Sequence, residues 1–434
     1  MSDSLAPRGV AFDLVAEVLR RRVPFEDACE RHPRFKEQEP RDRAFVRLLA
    51  ATLFRRLGQV DQALSRCYNR PQPPKAPVQD LLRLGAVQLL FLGTPAHAAV
   101  DTTVALAEQR GFHPYKGLIN ALLRRLAREG AACLAGQDAG RLNTPDWLWL
   151  AWRQAYGINA TRNLVKAHLE EAPLDFSVRG DPQAWAERLE GLVLPTGTVR
   201  RPAGGNVTDL PGFAEGGWWV QDAAAALPAR LLGDVRGQQV IDLCAAPGGK
   251  TAQLAAAGAR VVAVDRSDAR LRRLKDNLSR LGLSAEVVVA DATVWTPTRP
   301  ADAVLVDAPC SATGTIRRHP DILHLKTAAD VTALAHVQRR LLEQAVRMVR
   351  PGGMVVYCTC SLQPEEGEAP IARLVERNPA IQRVPIRAEE LSGPPEWIQP
   401  TGAVRTLPGA LLPDPWGGSG GVDGFYIARL RVEG

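Results

Sequence analysis

The sequence predicts a multidomain protein: an all-α N-terminal bundle, a small α+β middle region and a C-terminal α/β domain with a doubly wound, mostly parallel sheet. Two observations carry this. Through the first 140 residues apolar positions recur every three or four residues, whereas from about Gly216 short β-branched runs alternate with amphipathic stretches. The length, 434 residues of which 46% are hydrophobic, is enough for two or three separate cores.

In "RDRAFVRLLAATLFRRLG" the residues Phe45, Leu48, Leu49, Thr52 and Leu53 fall on one helical face, with Arg41, Arg43, Arg47, Arg55 and Arg56 mostly elsewhere and Gly58 supplying a stop. "VQDLLRLGAVQLLFLG" is apolar nearly all round, as a central bundle helix requires. "KGLINALLRRLAREG" repeats the amphipathic pattern through Leu118, Leu122 and Leu126 and ends near Gly130. The proline-rich stretch from Arg70 to Pro77 reads as an internal loop, and "AGQDAGRLNTP" as the linker out. These signals set domain boundaries at 1–140, 141–215 and 216–434. The middle region, with "PDWLWLAWRQAYG" and "LDFSVRG", has a weak pattern and reads as a bridge.

The third region contains "QQVIDLC", "ARVVAVD", "SAEVVVAD", "ADAVLVDAPC" and "GGMVVYCTC", runs expected to form strands buried on both faces. Between them, "DARLRRLKDNLSRLG" places Leu271, Leu274, Leu278 and Leu281 on one helical face, with Gly282 as a C-cap. Ligands of such sheets sit beyond the carboxyl ends of the strands.

Composition narrows the class. The N-terminus lacks a basic leader followed by an apolar segment, and no run approaches 18 to 20 apolar residues, so a cytoplasmic protein without membrane attachment is expected. Seven cysteines without a C-x-x-C pair or zinc-type histidine spacing argue against a disulfide scaffold and against a metal site. The net charge of +7 permits an acidic partner such as nucleic acid, and most of it lies in residues 1–140, with 21 basic against 15 acidic residues. A GC-rich genome would also yield this excess of arginine over lysine, so charge does not decide alone.

The strand ends carry the chemistry. "DLCAAPGGKTAQL" joins a strand to a helix through Gly248 and Gly249, which allow a tight turn and close approach of a ligand to the helix N-terminus. Cys244 stands where a Walker A loop needs glycine, and G-x-G-x-x-G is absent, so a pyrophosphate is disfavoured. Asp265, 23 residues beyond Asp242, suits two ribose hydroxyls, and Asp291 an adenine amine; together they point to an adenosyl ligand without phosphates. Cys358 and Cys360 lie two apart and share one face of an extended strand. By themselves they are two buried hydrophobes, two metal ligands, or a nucleophile beside a structural neighbour. Cys310, after Pro309, is the other candidate thiol.

"DAPCSATGTIRRHPD" and "YCTCSLQPEE", preceded by "DLCAAPGGKT" and followed by "DGFYIARL", resemble the bacterial RNA cytosine-5 methyltransferases that use S-adenosylmethionine. "RDRAFVRLL" and "LINALLRRL" resemble a NusB-like RNA-binding domain. The resemblance spans most of the chain and implies methylation of ribosomal RNA, of the small subunit in particular, naked or early in assembly, by a monomer. It implies that Cys360 is the nucleophile and that Cys310 serves proton removal and product release. It further implies a cofactor site of Cys244, Ala245, Ala246, Pro247, Gly248, Gly249, Lys250, Asp265, Arg270, Asp291 and Asp307, and a helix at "GWWVQD" that approaches the cofactor.

The chemistry agrees. C5 of cytosine is a poor nucleophile until a thiolate adds to C6, and a base must then remove the C5 proton. Asp307 suits N3 or the amino group, with Lys250 as a second polar contact. Cys358 and Cys244 read as packing residues, as do Trp218 and Trp219. Arg317, Arg318 and His319 read as an RNA phosphate contact or a solvated loop, and Arg41, Arg43, Arg124 and Arg125 as phosphate contacts or solvated charges. Two rivals remain on the residues alone: the same chemistry on large-subunit or transfer RNA, and a non-catalytic RNA-binding assembly or antitermination factor.

Overall fold

The computed structural model describes residues 5–68, 72–409 and 420–433; Arg70 and Pro71 of the proline-rich loop lie outside them. The chain forms two compact units, Met1–Leu169 with Arg318–Lys326, and Glu170–Arg317 with Thr327–Gly434.

The first unit is helical. α1 (Leu5–Arg21), α2 (Phe25–Arg31), α3 (Pro40–Cys67), α4 (Ala76–Leu90), α5 (Ala96–Gln109) and α6 (Lys116–Leu134) enclose one core built on Leu14, Leu49, Leu53, Phe54, Leu81 and Leu123. α4 buries residues on all sides, including Leu81, Leu82, Leu84 and Val87. Leu48 and Leu118, expected in the core, are 46% and 42% exposed; Val46 and Ile119 are buried in their stead.

Gly58 and Gly130 do not stop their helices, which continue to Cys67 and Leu134. They are sites of close approach. A Cβ on Gly58 would stand 1.9 Å from the Leu142 carbonyl oxygen, and one on Gly130 would stand 2.6 Å from Leu90 Cδ2. The two explanations predict opposite signs. Alanine at an exposed helix position gains about 0.5–1 kcal/mol over glycine, whereas Gly58→Ala is expected to cost about 1–3 kcal/mol by overpacking, measured as a fall in the urea midpoint.

The helix α7 (Asp146–Ala167), broken at Gly157 where φ is +77°, belongs to this unit, so the bridge expected over 141–215 is divided between the two units. The segment Arg318–Lys326 packs here as well. Asp321 Oδ2 accepts from the Phe25 N–H at 2.9 Å and His324 Nε2 lies 2.8 Å from the Phe54 carbonyl oxygen.

The second unit contains two sheets. A small antiparallel sheet has the order β2-β3-β1-β4, with β1 at Leu174–Val178, β2 at Leu192–Val193, β3 at Val199–Arg201 and β4 at Trp218–Val220. It is pinned by a fully buried pair, Arg200 Nε to Asp175 Oδ1 at 2.7 Å. The larger, eight-stranded sheet comprises β5 (Gln239–Leu243), β6 (Arg260–Asp265), β7 (Glu286–Val289), β8 (Ala301–Asp307), β9 (Val349–Thr359), β10 (Ile381–Arg383), β11 (Val404–Thr406) and β12 (Phe425–Val432). Its order is β10-β12-β9-β8-β5-β6-β7, with β11 paired to β12. Strands β5 to β9 are parallel, and β12 runs antiparallel to β9.

α8 (Gly249–Ala256), α9 (Asp268–Arg280), α10 (Ala328–Met348) and α11 (Glu368–Arg377) complete the domain. α9 is capped by Ser267 and buries Leu271, Leu274 and Leu278 as its periodicity predicts. "SAEVVVAD" is not buried on both faces: β7 ends the sheet and Val289 is 53% exposed. The order reverses between β5 and β8, the switch point at which such sheets open a crevice.

Candidate active site

β5, β6, β8 and β9 end side by side and deliver the residues singled out above. β5 leads into the loop before α8, where Gly248 adopts φ +104° and a Cβ would fall 2.8 Å from Leu274 Cγ, so this turn requires glycine. Gly249 is under no such pressure; its nearest neighbour would be Gln221 Nε2 at 3.6 Å. No side chain caps the first amides of α8. Asp265, at the end of β6, is buried and accepts from the Ala246 N–H at 3.2 Å and the Ser267 N–H at 2.9 Å. Arg270 donates to the Ala246 carbonyl, tying α9 to the same loop. Cys244 carries φ +61° and burial pushes its thiol up to about 12.

Asp291 caps its own turn. It accepts from the Thr293 N–H at 2.9 Å and the Thr293 hydroxyl at 2.8 Å, which hold its carboxyl below the ordinary range. Asp242 is fully buried, bound by the Thr251 hydroxyl at 2.6 Å with Oδ1 unpartnered, and burial raises it to about 7.

Beside this loop Lys250 Nζ meets Asp307 Oδ2 at 2.7 Å. Burial disfavours the ammonium, but the Asp307 charge outweighs it and holds Lys250 above its ordinary value. The other Asp307 oxygen lies 3.5 Å from Cys358 Sγ. Cys358 is thus buried as expected, and it also touches the carboxylate beside the thiol pair.

β8 and β9 are in register at Asp307 and Cys358, so the loops that follow carry Cys310 and Cys360 to one place. Their Sγ atoms are 3.5 Å apart. That hydrogen bond, followed by burial, raises the Cys310 thiol well above its ordinary value. Beneath them is a residue that sequence reading did not single out. Glu366 accepts from the N–H of Ser311 at 2.8 Å, from the hydroxyls of Ser311 and Ser361, and from Gln338 Nε2 at 3.1 Å. Ser311 follows Cys310 and Ser361 follows Cys360, so one buried carboxylate ties both cysteine loops together. Gln338 adds a bond to the Pro309 carbonyl at 2.9 Å.

Two expectations are corrected. Arg317 does not face RNA: it is buried between Asp222 and Asp423, with Nε 2.7 Å from Asp423 Oδ1, and it braces the loop after Cys310. "GWWVQD" forms strand β4 followed by turns, and no helix starts before Leu227. Trp218 and Trp219 are core residues. Arg43 and Arg125 are engaged with the carbonyls of Gln38 and Cys67. Among the described residues no cluster of three or more His, Cys, Asp or Glu could hold a metal, and no helix is long and apolar enough to cross a membrane.

Comparison with known proteins agrees with this geometry. The 16S rRNA methyltransferase RsmB/F family matches residues 229–431 and the NusB family residues 5–128. The Ribosomal RNA small subunit methyltransferase B of Vibrio cholerae serotype O1 is 36% identical over 415 residues, covering 91% of this chain and 90% of its own. That of Pseudomonas putida is 37% identical over 418 residues, covering 90% and 91%. A solved structure, that of PH0851, superposes over 98% of both chains with a TM-score of 0.75 at 23% identity, a likeness of fold. With relatives this similar along nearly its whole length, and with an RsmB/F region following a NusB-type region in its own sequence, the chain belongs to the RsmB/F family of ribosomal RNA methyltransferases.

Proposed function

We propose that this enzyme transfers a methyl group to C5 of a cytosine in small-subunit ribosomal RNA through a covalent adduct at Cys360. The observation that carries the reading is the thiol pair, Cys310 and Cys360 at 3.5 Å, set beside the Lys250–Asp307 ion pair at the ends of adjacent parallel strands.

The residues around the β5 turn fit S-adenosylmethionine. The backbone is free of a side chain at Gly248, the α8 amides are uncapped, and a buried carboxylate, Asp265, stands at the next strand end. Cys244, Ala245, Ala246, Pro247, Gly248 and Gly249 would line the cofactor, with Asp265 toward the ribose, Asp291 toward the adenine, and Arg270 holding the loop. Bound there, the cofactor supplies an electrophilic methyl group.

The chain's own residues then do the rest. The Cys360 thiolate forms a bond to C6 of cytosine, and the C5=C6 electron pair becomes available at C5. Asp307, one-third exposed and paired with Lys250, accepts from the exocyclic amine and fixes the ring as its charge shifts toward N3. After C5 is methylated, Cys310, once its own thiol proton has been released to solvent, takes the C5 proton as thiolate. The Cys360–C6 bond then breaks, C5=C6 is restored, Cys360 leaves as thiolate, and the proton passes from Cys310 to solvent. Its raised pKa makes Cys310 a stronger base than an ordinary thiolate.

The helical unit that begins the chain is assigned to RNA binding, residues 170–215 to a second RNA-binding or linking role, and the rest of the second unit to catalysis. The substrate is naked RNA or an early assembly intermediate, and the enzyme a cytoplasmic monomer. Incubating the protein with labelled S-adenosylmethionine and unmodified 16S rRNA, then digesting to nucleosides for mass spectrometry, is expected to give 5-methylcytidine at one position. Label in any other nucleoside would overturn the chemistry. Intact cofactor binding with transfer only to large-subunit or transfer RNA would overturn the substrate.

A further inference from the structure

The outer faces of α10 and α11 enclose two adjoining hollows of about 320 Å³ each, which share His336, Arg339, Pro370 and Arg373. Arg340, Arg377 and Glu343 extend the first hollow, and Glu365 lines the second, so four arginines face two carboxylates. We propose that this groove holds the phosphodiester backbone of the substrate RNA flanking the target nucleotide, an inference that rests on the reading of the chain as an rRNA methyltransferase.

Charge is the first argument. None of the four arginines forms an ion pair among the described residues: Arg340 donates to the Thr293 hydroxyl at 2.8 Å, and Arg339 contacts His336 on its own helix. Elsewhere in the same unit arginines facing carboxylates are paired, as Arg350 is with Asp302 and Arg405 with Glu368. Four arginines along one groove outnumber its two carboxylates, Glu343 and Glu365, neither of which is ion-paired with them among the described residues, and leave a net positive charge that an anion would offset. Phosphate is the group that the arginine fork suits best.

Continuity with the site is the second. Glu365, at the groove, precedes Glu366, which ties the two cysteine loops; Arg339, in the groove, follows Gln338, which is buried and bonds Glu366. The groove therefore adjoins, through α10 and the short turn before α11, the residues that anchor the Cys310 and Cys360 loops. The lining holds no Phe, Tyr or Trp on which bases would stack, so the contact reads backbone charge rather than sequence.

The test is the salt dependence of binding by the full-length enzyme to an unmodified 16S rRNA transcript, wild type against Arg339→Glu with Arg373→Glu. Both side chains reach solvent, and thermal unfolding of the double variant checks that it is folded. Losing two phosphate contacts is expected to flatten the plot of log K against log salt by about 1.4, at about 0.7 per single-strand contact. The KM for RNA should rise about tenfold or more with kcat at saturating RNA nearly unchanged. An unchanged slope overturns the proposal, since the groove then faces solvent or another macromolecule. A fall in kcat without a change in KM or slope also overturns it, because the arginines would then act on the cysteine loops. A wild-type protein that bound rRNA without methylating it would sink the reaction assigned above, while the slope would still judge the groove.

Discussion

Replacing Cys360 with alanine is expected to lower methyl transfer to rRNA by about 10⁴-fold or more while leaving binding of S-adenosylmethionine nearly unchanged. Cys360 follows β9, whereas the cofactor turn follows β5, so truncating it removes the group that activates cytosine and none of the residues assigned to the cofactor's cradle. Cys310→Ala is expected to behave differently although its sulfur is only 3.5 Å away. Addition and methylation proceed, but removal of the C5 proton is slowed, and turnover falls about 10²–10⁴-fold as the adduct persists. A band on a denaturing gel containing both protein and RNA checks this. Equal loss in both variants without any such band would mean that the two thiols do not divide the work as assigned.

The second large effect belongs to Glu366. Its carboxylate is buried, and burial raises its pKa while the bonds from Ser311, Ser361 and Gln338 work to lower it. Glu366→Ala leaves those donors buried without an acceptor. The expected cost is about 3 kcal/mol, which in a catalytic unit of this size is a Tm lower by roughly 6–12 °C. The two cysteine loops also lose their common anchor. A shift of about 1 Å between reacting groups is worth about 10²-fold, so kcat is expected to fall by that order with KM for RNA little changed. Glu366→Gln retains an acceptor oxygen and should recover most of the lost stability. If the alanine variant lost stability but kept full kcat per folded molecule, Glu366 would be a fold residue without a positioning role.

These residues also mark where sequence reading succeeds. β5 to β9 were legible because strands in a parallel sheet are short and β-branched, and the strand ends together with the family motifs singled out Asp265, Asp307, Cys310 and Cys360, which the fold brings to one edge of the sheet. Glu366 stands within "YCTCSLQPEE", where the sequence does not distinguish it from Glu365. The two adjoin in one short turn, where no periodicity separates a buried carboxylate from an exposed one. Arg317 looked like a phosphate contact because its partners, Asp222 and Asp423, lie 95 and 106 residues away in sequence. Gly58 and Gly130 read as helix stops because local propensity is all that a single helix displays; the close approaches of Leu142 and Leu90 are tertiary. β7 read as buried since three valines say nothing about which strand ends the sheet.

The central claim is that Cys360 bonds to the cytosine ring, and one measurement reaches it directly. The complex formed by Cys310→Ala with 16S rRNA and S-adenosylmethionine would be digested with nuclease and protease, and the cross-linked peptide sequenced by mass spectrometry. The account predicts a single methylated cytidine attached to the peptide that contains Cys360. Attachment through any other residue, or the same complex formed when Cys360 is also replaced by alanine, would contradict it.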